Sequence, residues 1–442
     1  MLTAITLTNF KSHQQSRLPL APLTVLIGAN ASGKSNAIEG MRLLSWLAQG
    51  QKLTAIPYMS RHDNRVVRGR TEDLFIYGQD SLELGCETDH EEWNRLNLTL
   101  AKREDELHIS QETLEAASSN KFLYSLDQPS IGHGMDVGVA YNNFSRGGNK
   151  PHITCTDQMA IFTQLTRPTT FNANHKTSQE VIPEITRQYE QWLSSMLFLD
   201  PVPARMRNYV SPSEKRLQGD GANLSGVLYH LWGKNKPPTN QKNLKSQRAD
   251  ILAFIQSLPE QEIQGLDFLT EPRGGVMVSL TETFGGKSRD YDASLLSDGT
   301  LRVLAIAAAM LSIEEGGLVV IEEIDNGVHP SRARHLLERI GEIARRRNLR
   351  VLLSTHNPAL LDALPDSAIP DVVFCYRDPQ DGSSRLSRLE DLQDYPELIA
   401  QGSLGYLATS GVLERFVKQT RDPKTRKKLT EAWLKRMLGG DA

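Results

Sequence analysis

The chain has 442 residues, 39% hydrophobic and 23% charged, with 32 Gly and 21 Pro. That composition excludes collagen-like and wholly disordered chains and leaves room for roughly two or three domains. Its 50 Lys and Arg against 53 Asp and Glu give a net charge of -3, so any nucleic-acid surface must be local. Three widely spaced cysteines, Cys86, Cys155 and Cys375, fit neither a disulfide framework nor a zinc cluster and point to a reducing cytoplasm. The longest apolar stretch, Val303 to Leu311, is too short to cross a bilayer. The start, MLTAITLTNFKSH, lacks the basic residues, apolar core and cleavage site of an export signal. No membrane partner is expected.

In chain order, Leu2 to Phe10 and Leu23 to Ile27 read as strands, because apolar residues and Thr dominate them. From Asn36 to Ala48, Ile38, Met41, Leu44 and Leu47 recur at helical spacing, which predicts a helix with one packed face. Leu82 to Glu87, Leu96 to Ala101 and Leu107 to Gln111 predict a small antiparallel sheet. Residues 112–289 carry Gly and Asn clusters, paired prolines and amphipathic segments near 181–197 and 244–258, and read as a mainly helical insertion with loops. Regularity returns after Tyr291: helix Thr300 to Ile313, strand Leu318 to Ile321, helix Arg332 to Arg347, strand Val351 to Ser354, helix Ala359 to Leu364, strand Val372 to Tyr376. Such alternation predicts a parallel sheet with crossover helices.

Gly28-Ala29-Asn30-Ala31-Ser32-Gly33-Lys34-Ser35 matches G-x-x-x-x-G-K-S between a predicted strand and a predicted helix. Backbone N–H groups of such a loop surround phosphate oxygens, Lys34 reaches the β and γ phosphates, and the Ser35 hydroxyl ligates Mg²⁺. Glu322 and Glu323 end the strand Leu318 to Ile321, where ligands of parallel sheets bind. There Glu322 would hold the Mg²⁺ and Glu323 would polarise the water that attacks the γ phosphate. Alone, such a pair is a solvated strand end; the phosphate loop changes its meaning. Leu296-Ser297-Asp298-Gly299-Thr300 opens a helix and offers a hydroxyl with free N–H groups; as an isolated string it is a helix cap. His356, in Ser354-Thr355-His356-Asn357-Pro358, ends the next strand, where it would contact the γ phosphate; by itself it reads as a structural histidine.

This order of motifs resembles the ABC-type ATPase heads of the SMC, RecF and OLD families, and especially the stand-alone ATPases of AAA-type family 21. Asn9-Phe10-Lys11-Ser12 looks like the family's NFRS stretch, Asn30 and Asn36 complete a GxNxxGKSN form, and Asp325 to Pro330 resembles the loop after the catalytic Glu. Asp220 to Leu224 and Gly402 to Gly405 look like recurrent stretches of the stand-alone group. Two positions depart from the pattern: Glu322 stands where Asp is usual, and Asp298-Gly299 replaces Gly-Gly, so slow hydrolysis is expected. The resemblance implies an α/β fold, an ABC-type P-loop ATPase head with an antiparallel β subdomain. It implies a nucleotide site of Lys11, Ser12, Asn30, Ala31, Ser32, Gly33, Lys34, Ser35, Asn36 and Asp325, joined by Ser297 and Gly299 from a second copy. Glu323 and His356 would be catalytic, Ser35 and Glu322 metal-binding, and ATP and Mg²⁺ the ligands.

The expected division is 1–111 for the first half of the head, 112–289 for the insertion and 290–442 for the second half. The expected partners are the chain itself, in a head-to-tail dimer, and a separately encoded nuclease or toxin of an anti-phage system, because the 86 residues after His356 contain no D-x-D pair. DNA is the alternative partner, as for a RecF-like repair ATPase. Arg415 to Arg436 carries nine Lys or Arg against two acidic residues, and Arg345, Arg346, Arg347 and Arg350 form another cluster; such runs are solvated faces or favour nucleic acid.

Overall fold

A computed structural model describes residues 1–59, 66–104, 106–119, 121–234, 241–256, 262–325, 330–392 and 394–418. The chain begins with β1 (Leu2–Phe10), β2 (His13–Pro19) and β3 (Thr24–Ile27), then α1 (Lys34–Ala48). Next come β4 (Ser81–Thr88), β5 (Arg95–Arg103), β6 (Glu106–Glu115), β7 (Phe122–Gln128), β8 (Asp136–Tyr141), β9 (His152–Thr156), α2 (Lys176–Ser194) and β10 (Leu197–Leu199). They are followed by α3 (Leu224–Leu231), α4 (Gln241–Ile255), β11 (Glu262–Thr270), β12 (Val276–Phe284) and β13 (Lys287–Asp292). The last part holds α5 (Asp298–Ser312), β14 (Leu318–Ile321), α6 (Pro330–Arg346), β15 (Arg350–Ser354), β16 (Val372–Arg377) and β17 (Ser384–Arg388).

Fourteen strands form one sheet in the order β10-β14-β15-β3-β16-β17-β2-β1-β4-β5-β6-β7-β8-β9, and β11-β12-β13 form a second, antiparallel sheet. From β10 through β16 the large sheet is parallel. From β2 through β9 it is an antiparallel meander. The parallel strands are buried on both faces, as their unbroken apolar sequences require. Val25, Ile27, Val319, Ile321, Val351, Leu353, Val372 and Phe374 enter one core, while Leu26, Leu318, Val320, Leu352, Val373 and Cys375 enter the other. The first core is closed by α3, α4, α5 and α6, the second by α1 and α2. All three cysteines are free and buried. Among the described residues no helix is long and apolar enough to cross a membrane.

The stretch read as mainly helical carries five whole strands and the start of β13 besides its helices and β10. β7, β8 and β9 extend the meander, and β11, β12 and β13 form the separate sheet. The apolar residues of β7, β8, β9, β11 and β12 alternate over only five to nine positions, so Gly and Asn clusters masked the period of two, and β13, KSRDYD, has almost none. The arginine cluster Arg345–Arg350 is divided, with Arg347 and Arg350 half-buried and Arg345 and Arg346 exposed. Arg347 donates to Met310 O (2.5 Å) and Ile313 O (2.8 Å), closing the C-terminus of α5. Arg350 bonds Leu2 O, Arg346 pairs with Asp250, and Arg345 donates to Ser367. Most of the C-terminal basic run lies outside the described residues.

Truncating Arg347 strands two carbonyls at the end of a buried helix. Arg347→Ala is expected to lower the free energy of unfolding by about 1–3 kcal/mol in urea titrations. Arg339→Ala, which removes only an exposed pair with Glu342, is expected to change it by less than about 0.5 kcal/mol.

Candidate functional site

The phosphate loop spans the end of β3 and the start of α1. Gly28 (φ +147°) and Gly33 (φ +115°) occupy backbone conformations that side chains rarely adopt. A Cβ on Gly28 would lie 2.2 Å from Cys375 O, and one on Gly33 2.2 Å from Ser384 Oγ. Both glycines are therefore required by close approach of β16 and β17 as well as by torsion. Ala31 is also left-handed at φ +63°. Lys34 Nζ donates to Gly28 O (2.6 Å) and Ala29 O (3.0 Å). Burial lowers the Lys34 pKa, and the Glu323 charge opposes that shift.

Residues from the far end of the chain complete a cavity of about 390 Å³. Its walls include the loop residues 30–36, Arg68, Glu322, Glu323, Ser354, Thr355, His356 and Arg377. Glu323 sits at φ +48°, a left-handed turn that costs about 1–3 kcal/mol and turns its exposed side chain to the cavity. Its N–H is held by Ser354 Oγ (3.1 Å), and Thr355 Oγ1 donates to Asp325 Oδ1 (2.7 Å). Ser354 and Thr355 thereby pin the turn that carries both glutamates, while His356 stands exposed at the mouth. Glu322 Oε1 accepts from Arg42, whose guanidinium also lies 4.9 Å from the Phe198 ring centre.

Lys11 and Ser12 border an adjoining cavity of about 1020 Å³, which shares Asn36 and Arg377 with the first. Lys11 donates to the buried carboxylate of Glu39 (2.6 Å) and to Arg68 O (2.7 Å). Ser12 Oγ accepts from Asn36 Nδ2 (2.7 Å) and lies 2.8 Å from Ser384 Oγ. Asp325 lines neither cavity and is taken up by Thr355; residues 326–329 of its loop lie outside the described residues. Ser297 and Gly299 also line neither. Ser297 Oγ accepts from Thr300 N (3.1 Å) as the cap of α5, and Arg207 donates to Asp298 (2.6 Å). Within Leu296–Thr300 the ends are buried, while Ser297 and Asp298 face solvent beside Leu295, which is 69% exposed.

Sequence reading missed Arg42, Arg68, Arg377, His13 and Ser384. His13, fully buried on β2, braces the loop. Its Nε2 is 3.0 Å from Gly33 O and its Nδ1 2.8 Å from Ser16 Oγ. A carbonyl only accepts, so Nε2 carries the proton and Nδ1 accepts from the hydroxyl. Burial lowers the His13 pKa to about 4; the Gly33 bond opposes this and the Arg377 charge adds to it.

Mg²⁺ fits the oxygen donors at hand. The Ser35 hydroxyl and the Glu322 carboxylate line one cavity, hard ligands of the kind that leave the remaining positions to water and phosphate.

Two family models match the chain. One, described as "AAA ATPase domain", covers residues 1–129; the other, described as "AAA domain, putative AbiEii toxin, Type IV TA system", covers 168–362. Between them they include every cavity residue except Arg377. Both matched segments are described as AAA domains, and each brings one part of the cavity wall. No curated protein matches this ATPase. Similar solved structures include an SMC head bound to the C-winged helix domain of ScpA (TM-score 0.45, 12% identity, covering 87% of this chain and 97% of that one). Others are the SMC head domain from Thermotoga maritima (0.39, 12%, 88% and 98%) and an Smc head domain with an extended coiled coil from Pyrococcus furiosus (0.46, 12%, 90% and 99%).

Between pH 6.5 and 4 the unfolded ATPase takes up a proton at His13 that the folded one refuses. Stability is therefore complete above the unfolded pKa and falls as pH drops through this window, by roughly 3 kcal/mol from His13 alone. Urea titrations at pH 7 and pH 4.5 are expected to show a smaller acid loss in His13→Gln than in the wild type.

Proposed function

We propose that the chain is a nucleotide-driven switch that closes as a dimer around ATP and reopens on hydrolysis. The carrying observation is that Lys34, Ser35, Glu322, Glu323 and His356 line one cavity, while Gly299 and the exposed Ser297 of the same chain lie outside it. The terminal phosphates lie against loop N–H groups and Lys34, and the nucleoside extends into the larger cavity beside Lys11 and Ser12. Ser35 and Glu322 would hold Mg²⁺, which would supply positive charge to offset that of the phosphates. The strained turn aims the Glu323 carboxylate at the water opposite the γ phosphate, where it accepts a proton as that water attacks. His356 contacts the γ phosphate from the next strand. Ser297 and Gly299 of a second copy, at the N-terminus of α5, close over the same phosphate.

The biological reading is a sensor or regulator ATPase of a prokaryotic anti-phage system, acting in the cytoplasm with a separate nuclease or toxin. It is supported by the toxin–antitoxin description of the family model over 168–362. The RecF-like repair reading is weakened at one of its two supports, because Arg347 and Arg350 bond internally and leave only Arg345 and Arg346 of that cluster exposed.

Glu323→Gln is expected to slow hydrolysis by about 100-fold or more and to trap an ATP-bound species of twice the chain mass in light scattering. Adding Ser297→Arg should return it to monomer, and a monomeric Glu323→Gln protein under saturating ATP would contradict the switch. At physiological salt the isolated protein is expected to bind duplex DNA no more tightly than about 1 μM, the non-specific range. Nanomolar binding with a steep salt slope would favour the repair reading.

A further inference from the structure

We propose that Arg377 is a nucleotide-contacting residue that meets the α-phosphate end of ATP or ADP, a role outside the segments that the ATPase family models cover. Resting on the ATPase reading above, it adds a contact to that same site. Arg377 is the last residue of β16, and β16 pairs in parallel with β3 through Val372–Val25, Val373–Leu26 and Phe374–Ile27. The C-terminal end of β16 therefore rises beside the phosphate loop.

The guanidinium is held by carbonyls. Nε donates to Ala31 O (3.0 Å) and Nη1 to Gly382 O (2.8 Å), so a planar group with five N–H donors is fixed against the loop. Nη2 makes no hydrogen bond to any described residue. Nor does Arg377 pair with a carboxylate among them, since nearby Asp378 and Asp381 are engaged by Arg385. Its positive charge is thus left for a ligand, whereas Lys11, Arg42 and Arg68 are tied to Glu39 or Glu322.

Position says which part of the ligand it meets. Asn36 and Arg377 are the described residues shared by the loop cavity and the larger adjoining cavity. Arg377 also borders a third cavity, of about 520 Å³, behind the loop. A nucleotide with its terminal phosphates on Lys34 and its nucleoside beside Lys11 crosses the boundary at its α-phosphate. Phosphate there receives charge-assisted hydrogen bonds from the free end of the fork.

Calorimetric titration of the full chain with ATP and with ADP, at one Mg²⁺ concentration, tests this in Arg377→Ala and Arg377→Gln. Both variants are expected to bind both nucleotides about tenfold more weakly than the wild type, with the ligand-free melting temperature of Arg377→Gln unchanged. Binding of both nucleotides within twofold of wild type by folded Arg377→Gln would overturn the contact, as would a loss confined to ATP. Weaker binding matched by an equal fall in ligand-free melting temperature would also overturn it, assigning Arg377 to bracing the loop. Lys34→Ala separates the two claims: if it binds as tightly as wild type, or if the wild type binds neither nucleotide, the ATPase site itself is misplaced.

Discussion

The parallel pairing of β3 between β15 and β16 is the constraint on which the rest of the molecule depends. β3 is four residues long and completely buried, and its neighbours in the sheet lie more than three hundred residues away in sequence. Parallel strands place their C-terminal ends on one edge, and a ligand binding at that edge is reached by every loop leaving it. The phosphate loop, the two glutamates after β14, the Ser354–His356 turn after β15 and Arg377 at the end of β16 all leave from this edge. Convergence of the two halves is a consequence of strand direction and needs no further device.

The charges around the edge are sorted by partner. Glu39, buried in α1, is neutralised by Lys11 and Arg68, and Glu322 is met by Arg42. Lys34 and Arg377 bond carbonyl oxygens instead. Carbonyl dipoles orient a cation without cancelling its charge, so these two keep their attraction for phosphate, while the paired carboxylates cost little in burial. The loop is stiffened from beneath by neutral groups: His13 on Gly33 O, and Ser384 on Ser32 O at 2.6 Å. The seam between β17 and β2, where Ser384 faces His13, ties the two halves together a second time, directly under the loop.

What could be read from the sequence was what is local in it. The loop, its flanking strand and helix, the glutamates after β14 and the long apolar face of α6 each depend on residues within a turn or two of one another. Their spacing carries the physics. The missed contacts join positions far apart: Arg42 to Glu322, Ser384 to Ser32 and Arg377 to Ala31 are separated by 280, 352 and 346 residues. No periodicity encodes such pairs. β2, β13 and β17, with sequences HQQSRLP, KSRDYD and SRLSR, have too few apolar residues to announce a strand; neighbouring strands create them by offering backbone partners. The Asp220–Leu224 stretch was visible as a motif but not as packing. Asn223 Oδ1 accepts from Gln218 N and its Nδ2 donates to Glu214, while a Cβ on Gly221 would strike Met206, so the stretch shapes a turn before α3.

The most direct test is a structure of the protein with Mg²⁺ and a non-hydrolysable ATP analogue. The account predicts phosphate density on the loop N–H groups and Lys34, with the metal between Ser35 and Glu322 and the Glu323 carboxylate facing the γ phosphate. Density for the nucleotide elsewhere, or a γ phosphate that none of the residues after β14 and β15 approach, would contradict it.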